Sequence, residues 1–509
     1  MLSRRLLAPF ERLADALADP ARRLRTMAWL AVGYGAVWAA YAVIAKSSQD
    51  LNADMAEMVV WAQVPALGYP KHPPLLGWIL AGWFSIFPRA DWAYYLLSGA
   101  TLGAGLYAGF LLAGFWLDGE KRAAAPFLLA VIPFYNFLGL KWDQNSALIP
   151  LWGLTLWAFM HSLDSRKPGW AAVAGIAAAA ALLTKYWSAF LIAALLIAAL
   201  CDRRRWDYFR STAPWISTLV AATAVAPHAV WLVRNDFPPL NWVGPRRAAN
   251  SVADWLHSAG EYLAGTIGYS GVALLLVLVL AWPSLPAIGD SWLPRDRDRR
   301  TAAVLFYAPI GLPILAAAAT KTSLLSLWNT PALGLLPVMM LASPLVVLTR
   351  AALVRMSAIA TAISAIALLA SPLIAGAILK HGTENYAAYG RLVAAAMERE
   401  WRQTTSAPLK IVAGPFVLVS TASFYVPDRP TTYADFSRYL SPWVDDARIA
   451  RDGAAIVCPA DDHHCLDLMN DIVVKGSPGR RTDVTLRRRW LFLDNVPAHF
   501  VIATVPPRS

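Results

Sequence analysis

Charge is scarce in this chain: Asp, Glu, Lys and Arg make up 15% of its 509 residues, against 57% hydrophobic residues. So few charges do not suit the surface of a soluble protein of this length, and a mean hydropathy of +0.45 fits lipid as the solvent. Cysteine is nearly absent, with three residues, which excludes a cysteine-rich disulfide scaffold. Internal repeats and low-complexity tracts are missing too, which excludes solenoids and arrays. What the chain does have is 23 Trp and 17 Tyr, amphipathic rings that concentrate at membrane interfaces. Its net charge of +12 comes from basic residues set between apolar runs. That pattern reads as topology determinants and contacts to anionic lipid, and it argues against nucleic acid as a partner.

Residues 1–26 carry Arg4, Arg5, Arg12, Arg22, Arg23 and Arg25 with Leu6, Leu7, Phe10, Leu13 and Leu17 at roughly helical spacing, a surface-lying amphipathic segment. The following apolar run, 27–45, is too long for a signal-peptide core and reads as a retained anchor. A span needs roughly 20 apolar residues. Runs near that length occur at 27–45, 92–116, 123–139, 147–163, 169–184, 212–233, 263–285, 301–319, 327–348 and 357–379. A shorter run at 188–200 follows a turn at 184–187, which brings the expected count to about eleven. Residues 74–87, behind Pro73 and Pro74, are read as a juxtamembrane helix. With that choice Lys121–Arg122, Arg166–Lys167, Arg203–Arg205, Arg295–Arg300 and Arg350–Arg355 share the N-terminal side, which the positive-inside bias names cytoplasmic. Segments 46–71, 140–145, 234–262 and 320–326 then lie on the outer side with everything after about Lys380. In that tail, β-branched runs at 410–419, 454–457 and 500–505 between Pro, Gly and Asp turns predict a small α/β domain. The expected division is 1–26 cytoplasmic, 27–379 transmembrane and 380–509 periplasmic.

The outer segments hold the residues with chemical potential. Asp54 and Glu57 are three apart and share a helix face; a carboxylate so near the bilayer needs a task or a partner, the alternative being a solvated loop acid or an N-cap. Lys71 and His72 precede two prolines that stiffen the backbone, so they are candidates to receive an anionic headgroup, or to snorkel. Asp143 and Asn145 lie in a short polar turn, where plain turn chemistry competes with function. Lys185 stands alone between two apolar runs, suited to a bound anion or an ion pair. The planar fork of Arg234 suits a phosphate, unless it pairs with Asp236; Lys321 is the last outer cation before a span. Cys458 and Cys465 flank Asp461, Asp462, His463 and His464, but the spacing is wrong for zinc and the tail has no second ligand pair. In an oxidising compartment a disulfide is favoured there. Cys201 reads as a lone structural thiol.

Asp54-Met55-Ala56, Trp61-Ala62-Gln63 and Gly68-Tyr69-Pro70-Lys71-His72-Pro73-Pro74-Leu75 together resemble the first extracytoplasmic loop of the membrane glycosyltransferases with the C-type fold. That superfamily, glycosyltransferase family 39-like, includes the protein O-mannosyltransferases and the bacterial transferases that add aminoarabinose or other sugars to lipid A. Residues 141–151, 184–190 and 227–240 look like the same bacterial group. The resemblance implies a membrane all-α fold of the C type, with about eleven transmembrane helices and juxtamembrane helices in the first outer loop. A small C-terminal α/β periplasmic domain follows.

The activity it implies is inverting transfer of a sugar from a polyprenyl-phosphate donor to an envelope acceptor, lipid A or another glycolipid before protein, in the bacterial inner membrane. Asp54 matches the family's loop aspartate, the general base that takes the acceptor hydroxyl's proton. Lys71, His72, Lys185, Arg234 and Lys321 would meet the charge developing on the leaving phosphate. Relatives place Lys directly before Pro-Pro and, one position earlier, an acid that helps hold a divalent metal; His72 and Lys71 stand there instead. His72 would stabilise phosphate fully only when protonated. Glu57, Asp143 and Asn145 are left as candidates for acceptor or metal contact. A polyprenyl-lipid flippase is the alternative, and it would place polar, broken helices at mid-membrane in matching halves.

Overall fold

The structure is a computed structural model that describes residues 2–249, 251–381, 389–475 and 479–508. It divides into two compact units. The first comprises Met1–Ala39, Leu67–Pro73 and Leu96–Leu368; the second comprises Ala40–Ala66, Pro74–Tyr95 and Leu369–Ser509. The chain opens with the basic helix α1 (Leu2–Ala18), the apolar α2 (Arg23–Ala45), two short helices α3 (Ala53–Gln63) and α4 (Leu75–Ile86), and the long α5 (Asp91–Ala113). At twelve residues, α4 is too short to cross a bilayer upright.

The first unit continues through α6 (Gly119–Ala130), α7 (Gln144–Ser165), α8 (Pro168–Thr184), α9 (Ser188–Cys201), α10 (Arg205–Arg210), α11 (Ala213–Arg234) and α12 (Pro238–Arg247). It ends with α13 (Val252–Leu280), α14 (Leu285–Trp292), α15 (Arg297–Thr320), α16 (Leu336–Leu341) and most of α17 (Arg350–His381). Among the described residues seven helices are long and apolar enough to span a membrane: α2, α5, α7, α11, α13, α15 and α17.

Two of the eleven expected runs are not continuous helices. The run at 123–139 stops with α6 at Ala130 and passes into 3-10 turns at Pro133–Tyr135 and Leu138–Leu140. The run at 327–348 is a 3-10 helix, Ser326–Leu335, followed by the single α-turns of α16. Pro133, Pro331 and Pro337 each remove a backbone donor that an α-helix needs. Irregular backbone survives at such depth only inside protein, and Asn329 through Leu341 are all buried.

Small residues let the helices approach. A Cβ on Gly35 of α2 would lie 2.5 Å from the carbonyl oxygen of Gly99 on α5, so alanine at that position would push the two apart. Basic loops gather at the end of the unit that holds α1. Arg23 meets Asp118 at 2.7 Å, Arg350 meets Asp15 at 2.8 Å, Arg299 meets Asp290 at 2.8 Å, and Lys121 donates to the Ser343 carbonyl at 2.7 Å. Arg203 meets Asp298 at 3.0 Å and Ser343 Oγ donates to Asp290 at 2.6 Å, so the loops around 120, 203, 297 and 350 share one end.

The second unit adds α18 (Gly390–Thr404), α19 (Phe416–Tyr425), α20 (Asp446–Asp452) and α21 (His463–Lys475). Its strands are β1 (Ile411–Gly414), β2 (Thr431–Ala434), β3 (Ala454–Pro459), β4 (Arg481–Leu486), β5 (Arg489–Trp490), β6 (Leu493–Asp494) and β7 (Ala498–Val505). Five of them form a mixed sheet ordered β2-β1-β3-β7-β4, with β1 parallel to β2 and β3 and with β7 antiparallel to β3 and β4. Strands β5 and β6 form a separate hairpin. The expected strand at 410–419 is half helix. Gly414 takes φ +142°, Pro415 follows, and from Phe416 the chain coils into α19, whose apolar surface is buried against α3 and α18. Cys458 of β3 and Cys465 of α21 are joined by a disulfide with Cα atoms 5.7 Å apart, while Cys201 is exposed at the end of α9.

Candidate functional site

In the first unit, the sequence predicts a polar turn ahead of α7, and its residues organise a basic cluster. Asp143 is the N-cap of α7: its carboxylate accepts from the Asn145 and Ser146 amides at 2.8 and 3.1 Å, and Ser146 Oγ accepts from the Asp143 amide at 2.8 Å. This reciprocal cap is the turn-chemistry alternative made real. Burial pushes the Asp143 carboxyl up from its ordinary value, and the charges of Lys141 and Lys185 oppose that shift.

Asn145 links the cap to the cation. Its amide donates to Asp143 Oδ2 at 3.3 Å, and its Oδ1 accepts from Lys185 Nζ at 2.6 Å. Lys185 terminates α8, where the chain breaks before α9, and only 9% of it is exposed. Burial brings its ammonium down to about 7; Asp143 opposes this and Arg247 adds to it.

Two indoles carry the positive charges. Lys185 lies over the Trp328 ring at 4.7 Å and Arg247 over the same ring at 5.5 Å. Lys71 lies over Trp242 at 4.8 Å and Arg246 over it at 3.4 Å. Each cation exchanges part of its hydration for the negative face of a ring, which holds its charge in place while leaving it able to attract an anion. His72 is half-buried beside this group, and burial together with Lys185 and Lys71 pushes its imidazole down to about 3. At neutral pH His72 is therefore an uncharged hydrogen-bonding group rather than a cation.

A latch holds the Lys71–His72 loop. His228 Nδ1 and the Leu67 carbonyl are 2.6 Å apart, Tyr186 Oη and His228 Nε2 are 2.9 Å apart, and the Tyr69 amide donates to the His72 carbonyl at 3.0 Å. Gly68 lies against the Trp231 indole, where an added Cβ would overlap the ring.

Not every expected cation joins the cluster. Arg234 ends α11 exposed, with no ion pair to Asp236 among the described residues. Lys321 adopts φ +51° after α15 with an exposed side chain; its carbonyl accepts from the Ala249 amide at 2.7 Å, tethering the segment behind Arg246 and Arg247. Those two arginines are absent from the set the sequence suggests. The available signal was their position just past Trp242 in a basic, aromatic outer stretch.

The donors around Asp143 do not fit a divalent cation. Its Oδ1 accepts from two backbone amides and its Oδ2 from the Asn145 side chain, and the charges that act on it are those of Lys141 and Lys185, a set suited to an anion.

In the second unit, Asp54 is exposed in the first turn of α3, and the Asn52 side chain caps that helix by accepting from the Asp54 amide at 3.0 Å. Glu57 follows one turn later, half-buried.

Comparison with known proteins adds to this geometry. Residues 71–231 match the family of dolichyl-phosphate-mannose-protein mannosyltransferases. The lipopolysaccharide core galacturonosyltransferase RgtA of Rhizobium johnstonii is 26% identical over 323 residues, 58% of this chain and 60% of the relative. RgtB of the same organism is 24% identical over 304 residues, 57% of this chain and 60% of the relative. The chain thus aligns with about three fifths of the length of these curated relatives. The crystal structure of ArnT from Cupriavidus metallidurans, bound to undecaprenyl phosphate, matches 94% of this chain and 97% of its own, with a TM-score of 0.59 at 15% identity. With its membrane helices, its cation-rich end and its appended sheet domain, the chain has the fold of the C-type membrane glycosyltransferases.

Proposed function

We propose that this protein is an inverting glycosyltransferase that moves a hexosyl or pentosyl group from a polyprenyl-phosphate donor to a lipid A-like envelope glycolipid. The observation that carries the reading is the buried Lys185, held by Asn145 and sharing Trp328 with Arg247. Such an arrangement suits an anion that gains charge during reaction, as a lipid phosphate does when its bond to the sugar breaks. Lys71, Arg246 and neutral His72 would contribute to the same anion site. Asp54, exposed in the first turn of α3, would act as general base. One carboxylate suffices to take a proton from an acceptor hydroxyl in a single displacement, whereas hydrolysing a glycoside needs two. The names of the relatives support the two ends of the reaction: RgtA and RgtB as lipopolysaccharide core transferases, ArnT as a protein that binds undecaprenyl phosphate. The corresponding topology is a multi-pass inner-membrane protein with a cytoplasmic N-terminus and the domain from residue 380 in the periplasm.

The direct test is sugar transfer by the purified full chain from a polyprenyl-phosphate sugar. Asp54→Asn should abolish transfer while donor binding and thermal unfolding stay unchanged, and Arg247→Ala should only weaken donor use. Substantial transfer by Asp54→Asn would remove the carboxylate from the mechanism. Mass spectrometry of envelope lipids from a deletion strain would name the sugar and the acceptor through the missing species.

A further inference from the structure

We propose that Arg488 and Tyr425 are positioning residues, which reach from the sheet domain to fix the chain at residues 47–51 and so hold the first turn of α3. The inference rests on the reading of Asp54, in that turn, as the general base.

The argument begins at Asp50, which is 1% exposed. A carboxylate that deep persists only when its charge and lone pairs are met. Arg488 Nη1 makes a short charge-assisted bond to Asp50 Oδ1, and the Arg391 amide donates to Oδ2 at 3.0 Å. From its other terminal nitrogen Arg488 donates to the carbonyls of Ser47 and Gln49 at 3.2 and 3.3 Å. One guanidinium thus grips three points on the strand of chain that leads into α3.

Tyr425 holds the next residue. The Leu51 amide donates to Tyr425 Oη at 3.0 Å, and that hydroxyl donates to Asp91 Oδ1 at 2.9 Å. Arg391 closes the ring of charges, donating to Asp91 Oδ2 at 2.7 Å and lying 4.4 Å over the Tyr425 ring. Asn52 then caps α3 through the Asp54 amide, so the held segment passes directly into the turn that carries Asp54.

Both holding residues are themselves held. Arg488 exchanges two hydrogen bonds with Asn495, at 2.7 and 3.0 Å, across the base of the β5–β6 hairpin. Trp490 of that hairpin donates to Ser47 Oγ at 2.8 Å. Tyr425 ends α19, which packs along α3. An apolar contact could join these segments as firmly, but only directional, charge-assisted bonds dictate the angle at which α3 starts.

The test uses the full chain in detergent and reads hydrogen exchange and turnover separately. Arg488→Gln should speed exchange at residues 51–58 by about tenfold while the five-stranded sheet stays protected. It should also lower kcat by about tenfold with donor KM within about twofold, because the base is displaced and the anion site is intact. Tyr425→Phe removes only the hydroxyl and should act in the same direction, more weakly, which decides the matter if Arg488→Gln does not fold. Unchanged exchange at 51–58, faster exchange with full kcat, or a rise in donor KM equal to the loss in kcat would each overturn the proposal. A wild-type chain that transfers no sugar would refute the general-base reading, and the exchange measurement would still decide whether these residues hold α3.

Discussion

Lys185 and Asn145 are joined by a 2.6 Å hydrogen bond that sets the ammonium of one turn against the amide of another, 40 residues earlier in the chain. Because burial brings Lys185 down to about 7, its charge is lost as pH rises through that value. If the cation receives the donor phosphate, kcat/KM should fall above pH 7, and Lys185→Arg, which cannot deprotonate, should flatten that limb. Lys185→Met should lower kcat/KM by about 10²–10³, the scale of one lost group that stabilises developing charge. A pH–rate profile of the three proteins checks both statements.

His72 behaves oppositely to an ordinary histidine beside an anion. Its folded value of about 3 lies below that of the unfolded chain, so between about pH 6.5 and 3 the unfolded state binds the extra proton. Stability is therefore complete above that window and is lost as pH falls through it. His72→Gln should reduce the acid sensitivity of the melting temperature by about one proton's worth. It should also leave the pH–rate profile between about 5 and 8 unaltered, because the imidazole carries no charge there. Loss of an acid limb in the variant would assign titration to His72.

Gly68 has no room for a side chain. Its backbone rests on the Trp231 indole, so Gly68→Ala must move either the ring or the loop that carries Lys71 and His72. Donor affinity should fall by about tenfold, the effect of shifting a binding group by a fraction of an ångström to an ångström, and tryptophan fluorescence should change with it. Binding of a polyprenyl phosphate to the two proteins, followed by fluorescence, checks this.

The disulfide between Cys458 and Cys465 closes a short loop at sequence separation 7. Short loops give small constraint on the unfolded chain, so Cys458→Ser with Cys465→Ser should cost about 2 kcal/mol. The expected readout is a lower melting temperature for the full chain, with the rate of sugar transfer unchanged at temperatures well below it.

Local rules explain what was legible beforehand. Long apolar runs in α2, α5, α7, α11, α13, α15 and α17 announce spans because each segment must satisfy its own backbone in lipid. Asp143 announced a turn because a carboxylate at an N-cap needs only its next three residues. The same locality made Asp54 and Glu57 visible as a face of α3. Broken helices were harder to see. Residues 327–348 look like a span by composition, yet Pro331 and Pro337 are tolerated only because the surrounding helices bury the irregular backbone.

Composition and period determined that this chain lives among lipids, where its long helices fall, and that a mixed α/β domain follows them, because burial of apolar groups and backbone pairing act over neighbouring residues. Tertiary structure alone decided which cations meet. Lys185 and Arg247, 62 residues apart, share Trp328, and Lys71 and Arg246, 175 residues apart, share Trp242. It also decided that His72 stays neutral and that Asp50 is gripped by an arginine 438 residues away. Charge, unlike hydropathy, has no period along the chain: its effect depends on distance and desolvation in space, and those exist only once the helices have packed.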